Sequence, residues 1–139
     1  MENFITETAV KILIIGGVFN IAFGIIVGHI LGLHRLKNPD SNYKYLLSAH
    51  KAGLQQGFML LGLVFALMLS PLPNNVETIS AILILFSTVL LDLGEMMNWF
   101  NRVEDEFKTR PSGFYVKLIS GVLLTIGFSI LLYGIILII

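Results

Sequence analysis

The chain has 139 residues, 55% of them hydrophobic and only 13% charged, with a mean hydropathy of +0.84. Soluble domains carry about 25% charged residues, so a water-soluble globule and a disordered tail are poor descriptions. Nine Lys/Arg balance nine Asp/Glu, which leaves no basic excess to draw nucleic acid, and the absence of cysteine rules out a disulfide framework, a thiolate nucleophile and zinc–sulfur sites.

Four apolar runs follow one another: 12–33, interrupted only by Asn20 and His29, then 45–69, 76–99 and 114–139. Each approaches or exceeds the roughly 20 residues that cross ~30 Å of hydrocarbon as a helix. None has the period-2 alternation of a barrel strand. The runs predict an all-α membrane protein, a four-transmembrane-helix bundle in one domain, with helices over about 8–34, 44–70, 76–101 and 112–139. The acidic start Met1-Glu2-Asn3-Phe4 and the lack of a small-residue cleavage pattern argue against a removed signal peptide.

Asn38-Pro39-Asp40 and Pro71-Leu72-Pro73-Asn74-Asn75 punctuate the first two connections. Arg35, Lys37, Lys44 and Lys51 flank the first; Arg102, Lys108, Arg110 and Lys117 flank the third; the second has no basic residue. With Lys11 as the single exception, the charge bias predicts both termini outside and the first and third connections in the cytoplasm, as in a bacterial inner membrane protein.

That topology collects the polar residues of the spans at one depth. His29 ends up level with His50, and Asp92, Glu95 and Asn98 join them, with Lys117 close by. Ionisable groups in a span are costly and face an interior or a wet cavity, so this level is the candidate site. In the second run, Gly53 and Gly57 fall near the azimuth of His50. Such a bare strip admits either a neighbouring helix or a flat macrocycle whose iron the histidine holds. Gly24, Gly28 and Gly32 repeat the pattern beside His29. In the third run Thr88, Asp92, Glu95 and Trp99 share one face. The two carboxylates suit proton transfer or the orientation of a histidine; the structural alternative is pairing with Lys51, Lys117 or Arg102. His34 reads as a solvated interface residue, and Met96 and Met97 as packing. No GxGxxG, Walker, HExxH or nucleophile-elbow motif is present.

Ala49-His50-x5-Gln56-Gly57 early in the second run, Leu91-Asp92 before an aromatic end to the third, and Phe23-Gly24 then His29 in the first resemble styrene oxide isomerases. The resemblance covers most of the first three spans; the fourth matches in hydrophobicity alone. It implies a haem b enzyme of the membrane that rearranges a small hydrophobic epoxide to a carbonyl compound, assembled as a homo-oligomer, a trimer in that family. It further implies His50 as the iron ligand, with Gly53, Gly57 and His29 near the cofactor. Gln56 would stand where the family holds the substrate oxygen with an asparagine, and Asp92 where it has an acid, with Glu95 as a further carboxyl. Asn98 and Phe100 would lie at the substrate, Phe100 replacing a tyrosine and so lacking its hydroxyl. Two other classes compete: a bis-histidine cytochrome using His29 and His50, and a haem-free channel, transporter or assembly subunit.

Overall fold

The computed structural model describes residues 8–138. The acidic start and Ile139 lie outside them. Five helices follow in order: α1 (Thr8–Lys37), α2 (Lys44–Leu69), α3 (Asn74–Phe100), the single turn α4 (Glu106–Thr109) and α5 (Ser112–Ile136), with no strand among the described residues. Four of them, 25 to 30 residues long, are long and apolar enough to cross a membrane. At 1.5 Å per residue they measure about 37–45 Å, more than the hydrocarbon layer. The chain is a multi-pass membrane protein built as a four-helix bundle. α1 runs three residues past the predicted end, through Lys37, before Ser41 closes the turn by donating its N–H to the Asn38 carbonyl at 3.1 Å. α2 stops at Ser70 because Pro71 cannot continue it.

The interior is small and polar while the periphery is large and apolar. Gly16, Gly17, Asn20 and Gly24 of α1 are buried, whereas Ile15, Val18, Phe19 and Ile26 are exposed. Hydrocarbon tails solvate Leu and Phe as well as a core does, so helices in a bilayer associate through close packing and interhelical hydrogen bonds. α1 packs chiefly on α2, and α3 chiefly on α5. The first pair meets glycine to glycine: a Cβ on Gly57 would lie 2.8 Å from the Gly17 carbonyl oxygen, and one on Gly53 3.0 Å from Gly24 Cα. Hydroxyls pin the second pair. Ser80 Oγ donates to the Gly127 carbonyl and Ser120 Oγ to the Ser87 carbonyl, both at 2.7 Å. Seams of α3 with α1 and with α2 join the two pairs.

The bare edge of α2 should therefore be intolerant of side chains. Gly57→Val is expected to destabilise the bundle by about 1–3 kcal/mol through overpacking. Gly62→Ala, where an added Cβ meets nothing within 4 Å, should be neutral or slightly stabilising. Thermal unfolding of the two variants in detergent, followed by circular dichroism, checks the contrast.

Candidate functional site

His50 lies nearly two turns into α2, and its half-buried ring rests on the bare backbone of α1. A Cβ on Gly28 would come within 2.7 Å of the ring. Nδ1 and the Gly24 carbonyl are 2.7 Å apart. A carbonyl can only accept, so Nδ1 carries a proton, and in the neutral ring Nε2 is the nitrogen with the lone pair. Nε2 makes no hydrogen bond among the described residues. A histidine held through Nδ1–H by a backbone carbonyl, with Nε2 free, is oriented as metal-ligating histidines are.

The glycine strip beside it has a different occupant from the macrocycle entertained above. Gly53 and Gly57 face Gly24, Gly17 and Ile21 of α1, so neighbouring backbone fills the strip. Open space begins only past Gly28, where a Cβ on Gly32 meets nothing within 4 Å. His29 turns away from His50. It is exposed on the outer face of α1, and its Nδ1–H donates to the Ile25 carbonyl of its own helix at 2.9 Å. Within one chain the two imidazoles do not converge.

The carboxylates divide into two settings. Glu95 belongs to an ion cluster: Lys117 Nζ lies 2.8 Å from Glu95 Oε1, and 2.8 and 2.9 Å from the two carboxylate oxygens of Glu106. Ser48 Oγ donates to Glu95 at 2.9 Å and Asn98 Nδ2 to Glu106 at 2.7 Å, while Glu106 N–H donates to the Tyr45 hydroxyl oxygen at 3.1 Å. The structural pairing is thus found for Glu95, with Lys117. It is not found for Asp92, which has no cation partner among the described residues and whose buried Oδ1 accepts nothing. Asp92 instead lines a pocket of about 230 Å³ between α1 and α3, next to Phe19, Asn20 and Phe23. Around α1, the Phe19–Phe23 edge and the Gly24–Gly28 edge under His50 stand about 140° apart. Asp92 and His50 therefore open to opposite flanks of that helix.

Gln56 follows His50 by six residues, about 120° around α2, and its Oε1 is buried without a partner. Asn98, fully buried, is committed to Glu106. Phe100 is exposed, on the rim of a second pocket of about 540 Å³ at the α4 end, with His34, Tyr45, Trp99 and Arg102. The residues carried over by resemblance are thus spread along and around the bundle rather than gathered in one cavity: Gly57 packs at Gly17 and Ile21, and Phe100 shares a pocket with His34, about 20–25 Å away along α1. Among the described residues no group of three His, Cys, Asp or Glu could hold a metal ion by itself. A single oriented imidazole is what an axial haem ligand requires, so His50 fits that role while the Gly53–Gly57 strip does not fit the ring.

No family model, curated protein or solved structure matches the chain.

Glu106 was missed by sequence reasoning because it ends the acidic triplet Glu104-Asp105-Glu106, which reads as a solvated loop. A signal was present. Asp105 caps α4 by accepting N–H bonds from Phe107 and Lys108 at 2.9 and 3.3 Å, and a capped turn next to Pro111 fixes the direction of its neighbours. Removing one member of a buried ion cluster strands the others, a loss of about 3–5 kcal/mol. Lys117→Met is accordingly expected to destabilise the bundle by that amount, far more than Lys51→Met at an exposed position. Reversible unfolding in mixed micelles measures both.

Proposed function

We propose that this chain is a membrane haem b protein of the epoxide-isomerase type, in which His50 holds the iron through Nε2. The observation that carries the reading is the His50 Nδ1–H bond to the Gly24 carbonyl, 2.7 Å long. It fixes the tautomer, leaves the other nitrogen basic, and lies at the histidine where the resemblance to styrene oxide isomerases puts the axial ligand. A ferric haem, when bound, supplies a Lewis acid to an epoxide oxygen, which is all that a rearrangement without net redox change requires.

The chain's own part is to orient and to exclude water. Gly24 and Gly28 let the imidazole sit against α1, and a bilayer around the bundle gives the low-water setting that a reaction with a water-sensitive cationic centre needs. Glu95, committed to Lys117, is given no catalytic part. Neither Gln56 nor Asp92 stands on the His50 flank of its own chain, so at the iron this chain contributes His50 alone. One such flank is too shallow to bury a macrocycle, which supports a homo-oligomer that encloses the cofactor between copies, a trimer on the resemblance. The basic residues around the first and third connections support an orientation with those connections in the cytoplasm of a bacterial inner membrane.

Protein purified in detergent after expression with ample haem supply is expected to show a Soret band. His50→Ala should lose it and His29→Ala should keep it. The haem-loaded protein should convert an aryl epoxide to the aldehyde with no added electron donor. A colourless preparation, or a His50→Ala protein with full haem content, would overturn the reading; reversible reduction of a six-coordinate low-spin haem would favour a cytochrome instead.

A further inference from the structure

The larger pocket, about 540 Å³ in volume, lies at the α4 end, between the last turn of α1, the first of α2 and the last of α3. Its size is that of a small-molecule site, ~300–1,000 Å³. Trp99 and Phe100 give it apolar wall. Asn38, Asn42, Arg102 and Glu104 give it polar side chains, all four exposed and so within reach of whatever enters. Leu36 and Phe100 beside it are 83% and 69% exposed, which suits hydrocarbon rather than water. Together with the rings of Tyr43, Tyr45 and Trp99 they put this end at the bilayer boundary, where amphipathic aromatic rings collect.

Two opposite charges line the pocket, and neither is neutralised. Three other cations at this end are engaged: Arg35 lies 4.7 Å from the centre of the Tyr43 ring, Lys44 lies 5.2 Å from that of Tyr45, and Lys117 is held by Glu95 and Glu106. The Arg102 side chain makes no ion pair, hydrogen bond or ring contact among the described residues, and the Glu104 carboxylate makes none either. They stand two residues apart on one wall without pairing. Asn42 adds a directed donor: its Oδ1 accepts the Lys44 N–H at 3.0 Å, so Nδ2 is the free end of the amide.

The ligand class follows from the charges. An anion alone is drawn by Arg102 and repelled by Glu104, and a cation alone meets the reverse. A group with both signs on a short spacer satisfies both. About 7 Å of chain at most separates the two Cα atoms, and an ammonium two carbons from a phosphate bridges the two side chains. The guanidinium fork matches phosphate oxygens, and an ammonium donates to a carboxylate. We propose that this pocket binds the headgroup of a phosphatidylethanolamine-type lipid, with the phosphate on Arg102, the ammonium on Glu104 and the acyl chains leaving past Phe100. The proposal does not depend on haem, because His50 has no part in this pocket.

Trp99 is the only tryptophan of the chain and lines the site, so its fluorescence reports occupancy of the full chain in detergent. The probes are dihexanoyl phosphatidylethanolamine, dihexanoyl phosphatidylglycerol, which lacks the ammonium, and glycerophosphoethanolamine, which lacks the acyl chains. The ethanolamine lipid is expected to shift the emission saturably and to bind at least about tenfold tighter than either of the others, as one well-made charged contact supplies. Glu104→Gln should erase the preference over the glycerol lipid. Arg102→Asn should weaken both lipids about tenfold; asparagine tolerates the left-handed backbone at this position, where φ is 52°, so the fold is kept. Lys108→Gln, an exposed cation outside the pocket, should change nothing. Equal affinity for the two lipids, equal affinity for the free headgroup, or an equal loss in Lys108→Gln would overturn the proposal.

Discussion

Gly17 and Gly24 on α1 meet Gly53 and Gly57 on α2 with backbone nearly touching backbone, and much of the chemistry available to the bundle follows from that contact. Only at that separation can the His50 ring reach across to the Gly24 carbonyl of the neighbouring helix. The same contact closes the strip to any flat ligand and moves the open surface outward, past Gly28. A leucine anywhere along either edge would push the helices apart and leave the imidazole without its acceptor. Small residues here set the orientation of the His50 ring as much as they set packing.

The four spans were legible because a bilayer leaves little choice: a run of 20 or more apolar residues with its backbone polar groups unsatisfied must become a helix. Depth was legible in part. His50 rests on Gly24 and Gly28, and Glu95 is held by Ser48, two residues before His50, so these two are close in level, whereas Asp92 lies beside Phe19, Asn20 and Phe23, about 9–15 Å along α1 from His29. Azimuth was not. His29 and Gly28 are neighbours in sequence, yet 100° of rotation sends one ring to the lipid face and gives the other residue to His50. Whether the glycine strip received a helix or a cofactor depended on the fit of two whole surfaces, which no single residue encodes. Glu106 shows a further limit, since its role arises from a loop folding back onto Lys117 across the chain.

Charge is treated in two ways within one molecule. At the α4 end, Glu95, Glu106 and Lys117 share protons and oxygens with Ser48, Asn98 and Tyr45, so most of what is buried there is matched. Less than a turn from Glu95, toward the middle of α3, Asp92 and, across the seam on α1, Asn20 keep oxygens with nothing to receive, as do Glu95 Oε2 and Asn98 Oδ1 within the cluster itself. Clusters of the first kind hold helices together.

The helices are tied as two couples: α1 to α2 by glycine edges, and α3 to α5 by serine hydroxyls on backbone carbonyls. Both partners in the His50–Gly24 bond belong to the first couple, whereas the lateral pocket straddles the seam between the couples. A shift of one couple against the other would alter the pocket while leaving the imidazole and its carbonyl together, a consequence of nothing more than which helix is fastened to which.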